Sequence, residues 1–159
     1  MSVHKSRRNV AAAQFLEDAI ELRRETLRIV KKFPKSYRWV CTNNMLELAT
    51  EIYTNCRKGN RIFVHKDMSE RDFDLRHRYL MLAWTAPDAL LGEITFLYGM
   101  VDEGNNYLGS RADYNRVFSN WTKLGNTLAA RLAAVISSDK ERFKRAKAKA
   151  GAPDGQGTS

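Results

Sequence analysis

The sequence predicts an all-α protein, an antiparallel up-down four-helix bundle, and three observations carry that reading. Apolar residues recur at steps of three or four in four separate segments, the signature of helices with one face turned to a core. Turn signals fall between those segments, at Phe33-Pro34, Gly59-Asn60 and 102–109. The 159 residues include only three prolines and nine glycines, few for a β-sandwich or barrel, whose many turns use both. One core is expected over 13–143, preceded by a flexible basic segment at 1–12 and followed by a basic, partly disordered tail at 144–159.

In the first segment, two adjacent rows, Phe15, Ala19, Leu22 and Ile29 beside Leu16, Ile20, Leu27 and Val30, are as wide as a core-facing stripe. The opposite face reads Glu17, Glu21, Arg24, Arg28, Lys31. Phe33 precedes Pro34, and a residue before proline is pushed away from helical geometry, so an interhelical turn is expected there. The second helix places Cys41, Met45, Leu48, Ile52 and Cys56 on one face and ends at Gly59-Asn60. The patch Ile62-Phe63-Val64 is too short for a helix and too isolated for a paired strand, which leaves a loop packed on the bundle.

Ser69 followed by Glu70 and Asp72 predicts the start of the third helix, with a capping hydroxyl and acidic side chains at the positive end of the dipole. Its stripe is Phe73, Leu80, Trp84, Leu91, Ile94, Leu97 and Val101. Pro87 lies inside this stripe, where a missing N–H and a steric clash predict a kink or a restart capped by Thr85. The fourth helix repeats Val117, Trp121, Leu124, Leu128, Leu132 and Val135. It continues with little apolar content into Lys140–Lys149, read as a mobile basic arm, and 151–159 reads as disordered.

The charge balance is lopsided. Lysine and arginine number 27 against 18 aspartates and glutamates, a formal charge of +9, so anionic partners are expected. No apolar run approaches the ~18 residues of a membrane span, and the apolar stripes are expected to be consumed in the core, which argues against a membrane partner. Neither a signal peptide nor a disulfide framework is visible, and a reducing, cytoplasmic location fits two cysteines without a zinc or redox spacing.

Chemistry-bearing residues do not converge. His4, His65 and His77 pair with nothing at ligand spacing, and no Glu-x-x-His occurs, so no metal and no cofactor is expected. The carboxylate pairs Glu17-Asp18, Asp72-Asp74 and Asp102-Glu103 fall on solvent faces or helix ends. Cys41 and Cys56 read as buried small hydrophobes. The glycine-bearing loop at 104–109 has neither a dinucleotide nor a Walker pattern. Tyr79, Trp84, Phe96, Tyr98, Tyr114 and Trp121 fit core or interface spacing. Tyr37 and Trp39, beside Arg38, have the chemistry to stack on bases, but core packing is the favoured reading. No catalytic constellation remains, and the protein reads as a non-enzyme.

The candidate site is therefore electrostatic. Arg23, Arg24, Arg28, Lys31 and Lys32 line the first helix, Lys35 and Arg38 follow the turn, and Arg57, Lys58 and Arg61 close the second helix. In an up-down hairpin the end of the first helix meets the start of the second, so Arg57–Arg61 lie at the other end, joined there by Arg71, Arg76 and Arg78. Two basic patches are expected, suited to phosphate backbones held by charge and shape.

The turn Lys31-Lys32-Phe33-Pro34-Lys35-Ser36-Tyr37, the helix end Asn55-Cys56-Arg57-Lys58-Gly59-Asn60, the stretch from Arg78 to Glu93 and the stripe from Trp121 to Val135 together resemble one family. It is the small bacterial four-helix-bundle family of ribosomal-intervening-sequence proteins and of the accessory variability determinant proteins of diversity-generating retroelements. The resemblance spans roughly Phe15 to Phe143. It implies a non-enzymatic, positively charged pentameric barrel that binds a reverse transcriptase and its template RNA, or an RNA/DNA hybrid, during mutagenic cDNA synthesis. The alternative it leaves is an intervening-sequence-type bundle that scaffolds RNA or protein for an unrelated partner.

Overall fold

In the computed structural model, residues 3–101 and 107–152 are described, with side chains from Gln14 onward. Four helices make up the fold: α1 (Val3–Val30), α2 (Asn43–Asn60), α3 (Glu70–Met100) and α4 (Arg111–Ala150). Each packs on the next, and α4 returns to pack on α1, which closes an up-down four-helix bundle. Among the described residues there is no strand.

Burial tracks the apolar periodicity on α1, α2 and α4. Phe15, Ala19, Leu22 and Ile29 are buried; in the second row of α1 Val30 is also buried, Leu16 and Ile20 are half-buried, and Leu27 is exposed. On α2 the buried stripe is Met45, Ala49, Ile52 and Cys56; on α4 it is Tyr114, Phe118, Trp121, Leu128, Leu132 and Ile136. Buried polar atoms are satisfied across helices. The Trp121 Nε1–H donates to Thr26 Oγ1 at 2.9 Å, and the Thr26 hydroxyl donates in turn to the Leu22 carbonyl at 2.8 Å, so α4 is tied to α1 in mid-core.

The helix ends are chemically specified. Pro34 sits in extended geometry (φ −60°, ψ 156°) and starts a short 3₁₀ turn, Lys35–Tyr37, followed by a π turn, Arg38–Thr42, whose closing bond runs from the Asn43 N–H to the Arg38 carbonyl. Ser69 caps α3 by accepting from the Asp72 N–H at 3.1 Å. Ser110 and Asp113 form a capping box at the start of α4. Gly109 precedes that cap with φ +109°, a backbone state that favours glycine.

Several expectations are corrected. Pro87 neither ends nor restarts α3, which runs unbroken through it; the ring is buried, and Thr85 donates its hydroxyl to the Leu82 carbonyl instead of capping a new helix. The buried face between Leu80 and Ile94 is Ala83, Ala86, Pro87 and Leu90, so Trp84 and Leu91 are not its centre. Residues 3–12 are helical, the opening turns of α1. The stretch 144–150 is helical, because Phe143 stacks on Phe73 with ring centres 4.2 Å apart and Lys147 Nζ lies 3.1 Å from Glu70 Oε1. Alanine, lysine and arginine fill that last stretch, and strong helix formers extend a helix without an apolar stripe to announce it.

The expected consumption of every apolar stripe in the core fails for α3. Leu75, Leu82, Ala89 and Phe96, seven residues apart, all face solvent, as do Gly92 and Gly99 beside them. This helix is also long and apolar enough, by length and composition, to cross a bilayer, since only Asp88 and Glu93 are charged between Met81 and Met100.

Candidate nucleic-acid interface

Of the thirteen cations assigned to the two patches from sequence, twelve are exposed: Arg23, Arg24, Arg28, Lys31, Lys32, Lys35, Arg38, Arg57, Lys58, Arg61, Arg71 and Arg78. Of these, only Arg28 is ion-paired with a described residue, to Glu25 one turn earlier. The connection between α1 and α2 gathers Lys31, Lys32, Lys35 and Arg38 at one end of the bundle. Arg61, Arg71 and Arg78 belong to the other end.

The two sets are not isolated from each other. Tyr53 on α2 carries the Arg23 guanidinium over its ring at 4.9 Å, and its hydroxyl accepts from Arg57 Nη1 at 3.0 Å. A cation assigned to the first patch and one assigned to the second thus share one tyrosine, and the α1/α2 face joins the ends. Lys58 lies over Tyr79 at 5.4 Å, which fixes that ammonium beside the start of α3.

Arg76 does not belong to this surface. It is buried, its Nε 2.6 Å from Asp139 Oδ2, and its Nη1 donates to the carbonyls of Gly59 and Ile62 at 2.7 and 2.8 Å. The guanidinium ties the end of α2, the following loop, α3 and α4 together, a structural use that a charge count along the chain does not reveal. The basic end of α4 is likewise no free arm. Lys140, Arg142, Lys144, Arg145 and Lys149 are exposed along a pinned helix, near the same end as Arg61 and Arg71.

Aromatic residues divide differently from the expectation. Tyr114 and Trp121 are buried, but Trp84, Phe96 and Tyr98 are substantially exposed. Tyr37 packs against Phe33 and Tyr107, with the three ring centres 5.6 to 5.9 Å apart. Trp39, expected in the core, is 89% exposed. Its position in the π turn, out of phase with the buried face of α2, accounts for the difference, and helical spacing alone had no means of showing it. Arg111, at the start of α4, is a further cation at this end that the motif reading passed over.

The remaining chemistry is structural. Burial, with the Asp18 charge adding to it, pushes the Cys56 thiol up to about 12, and burial with Glu93 raises Cys41, so both are protonated and poor nucleophiles near neutral pH. Asp18 holds Arg131 across α1 and α4 and accepts from Gln14. Asp72 and Asp74 lie exposed in the first turns of α3, and Glu17 is exposed on α1. His77 stacks on Phe73, and His65 is exposed. The side chain of His4, the pair Asp102-Glu103 and residues 104–106 of the following loop lie outside the described residues. Among the described residues no group of three or more histidine, cysteine or acidic side chains is placed to hold a metal ion. The chain matches no protein-family model, no curated protein and no solved structure.

Proposed function

We propose that this protein is a non-enzymatic nucleic-acid-binding scaffold, holding an RNA template, or an RNA/DNA hybrid, beside a partner polymerase. One observation carries the reading: a bundle of formal charge +9 leaves Lys31, Lys32, Lys35 and Arg38 at one end, and Arg61, Arg71 and Arg78 at the other, exposed and without ion pairs to described residues. Cations spread over a convex helical surface bind phosphates by counterion release and carry no sequence readout, which suits a scaffold better than a sequence-specific regulator. The resemblance around the Lys32-Phe33-Pro34-Lys35 turn names the finer version, a reverse transcriptase of a diversity-generating retroelement as partner and a cytoplasmic setting.

Self-association belongs to the same proposal. The outward row Leu75, Leu82, Ala89 and Phe96 on α3, flanked by two glycines with open space above them, is a heptad-spaced seam of the kind that a second helix covers. A ring of several copies, five in the finer version, would enlarge the basic surface without new sequence.

The test is native mass spectrometry of nuclease-treated protein, alone and then with a structured RNA and a candidate reverse transcriptase at moderate salt. The expected result is a single oligomer that takes up RNA and one polymerase. A monomer with affinity for neither overturns the reading. Flotation with anionic liposomes at physiological salt is the companion measurement, and floating protein would assign the α3 row to lipid instead of a second copy.

A further inference from the structure

We propose that Trp39 is a stacking platform for an unpaired base of a single-stranded nucleic acid, rimmed by Lys35 and Arg38. The proposal rests on the nucleic-acid reading of this surface and adds to it a preference for single strands over duplex.

The local geometry builds such a platform. Trp39 has the highest exposure, 89%, of any large hydrophobic side chain described, and no ring or cation of a described residue lies over it. Val40 beside it is also exposed. The segment that carries Trp39 is nonetheless anchored. Tyr37 is turned inward onto Phe33 and Tyr107, Phe33 is buried, and Cys41 and Thr42 are buried just beyond. An indole held out from an anchored turn loses little freedom on binding, which is the condition for a preorganised contact. π turns are rare and are frequent at functional sites.

The surroundings favour an anion over an apolar or acidic-poor partner. Lys35 and Arg38 lie four residues and one residue before the indole, are exposed, and have no carboxylate partner among the described residues. Three described acidic groups toward this end are engaged. Glu25 pairs with Arg28, Glu93 accepts from Asn44, and Asp113 is bound by Ser110 and Arg116. An exposed aromatic side chain with unengaged cations close by in the same turn is the combination that grips a single strand, with bases stacking on the ring while phosphates meet the charges. A duplex keeps its bases in the helical stack and offers Trp39 no ring to cover.

The experiment is fluorescence anisotropy with labelled oligouridylate and with an RNA duplex of matched length. It compares the wild-type protein, Trp39→Ala, Trp39→Phe and the double variant Lys35→Glu/Arg38→Glu, with circular dichroism to verify folding. Trp39→Ala is expected to weaken single-strand binding about ten- to a hundredfold while duplex binding stays within a few fold, with Trp39→Phe close to wild type. In a Trp84→Phe background, oligouridylate should quench the Trp39 emission. If Trp39→Ala binds the single strand like wild type while the charge-reversed variant does not, the platform is refuted and the scaffold reading stands. If wild-type protein binds neither probe, both fall. If Trp39→Ala changes the oligomeric mass without changing binding, Trp39 is covered by a second copy and the platform is refuted.

Discussion

Arg76 on α3 and Asp139 on α4 form a buried ion pair, Nε to Oδ2 at 2.6 Å, and the Nη1 group of the same guanidinium donates to the Gly59 and Ile62 carbonyls. Removing one member leaves the other charge uncompensated in the interior, so Arg76→Met alone is expected to cost about 3–5 kcal/mol. The double variant Arg76→Met/Asp139→Leu should recover part of that loss. Chemical denaturation of Arg76→Met, Asp139→Leu and the double variant checks it, and a double variant no more stable than the worse single one would mean that the two carbonyls, not the carboxylate, are the main partners.

The register of α4 is tested at Leu128, which is fully buried. Truncation to alanine should cost about 2–5 kcal/mol, the range for deleting a buried leucine in a closed core. A loss under about 0.5 kcal/mol, the size of a surface substitution, would place Leu128 at the surface.

Two glycines should respond to alanine with opposite signs. A Cβ on Gly59 would stand 2.7 Å from Leu80 Cδ2, and that glycine's carbonyl is held by Arg76, so Gly59→Ala should destabilise by about 1–3 kcal/mol. Nothing lies within 4 Å of a Cβ on Gly92, and there alanine should stabilise by about 0.5–1 kcal/mol through helix propensity. Thermal melts at low protein concentration separate this intrinsic effect from any on self-association.

The Cys56 thiol has a raised folded value, about 12 against an ordinary 9.0, because burial and the Asp18 charge disfavour the thiolate. The neutral thiol therefore contributes stability that is fully present below about pH 9 and is lost as pH rises toward 12. Cys56→Ala should flatten that alkaline decline. Native protein should also react with a thiol reagent at Cys56 only as fast as it opens, and rapid labelling at neutral pH would contradict the buried, protonated thiol.

Charge reversal probes the broader surface. Arg24→Glu/Arg28→Glu/Lys31→Glu should leave helicity nearly intact while weakening RNA binding and reducing the slope of log affinity against log salt by about one per lost phosphate contact. An unchanged slope would move the interface away from α1.

The fold was largely legible because burial follows period. Phe15 to Ile29, Met45 to Cys56 and Trp121 to Leu132 recur at helical steps and all reach the core. Ser69 was readable as a cap from its hydroxyl and the acids after it. On α3 the reading drifted, since apolar residues surround the helix and the buried positions are the small ones, Ala83 and Ala86, which a search for bulky side chains passes over. Charge was legible in amount but not in use. Nothing local distinguishes Arg76, which is buried, from Arg78, which faces solvent. Their difference is made by Asp139, 63 residues away from Arg76 in sequence. Trp39 was misplaced for a related reason, because a π turn resets the phase that spacing arguments assume.

That π turn also governs how the chain tolerates insertion and deletion. A wide turn holds one residue more than the α-helix around it, and each α-helical residue rotates the chain by about 100°. Deleting one residue within Arg38–Thr42 would let α2 continue backward as plain α-helix, with its core face undisturbed. The Lys35–Tyr37 connection would then be swung by about a quarter turn relative to that face. Tyr37 would leave its contacts with Phe33 and Tyr107, and the cations around it would point elsewhere. A single-codon deletion here is thus expected to yield a folded bundle whose basic end is misaimed, so that loss of the proposed nucleic-acid binding is separable from a loss of stability.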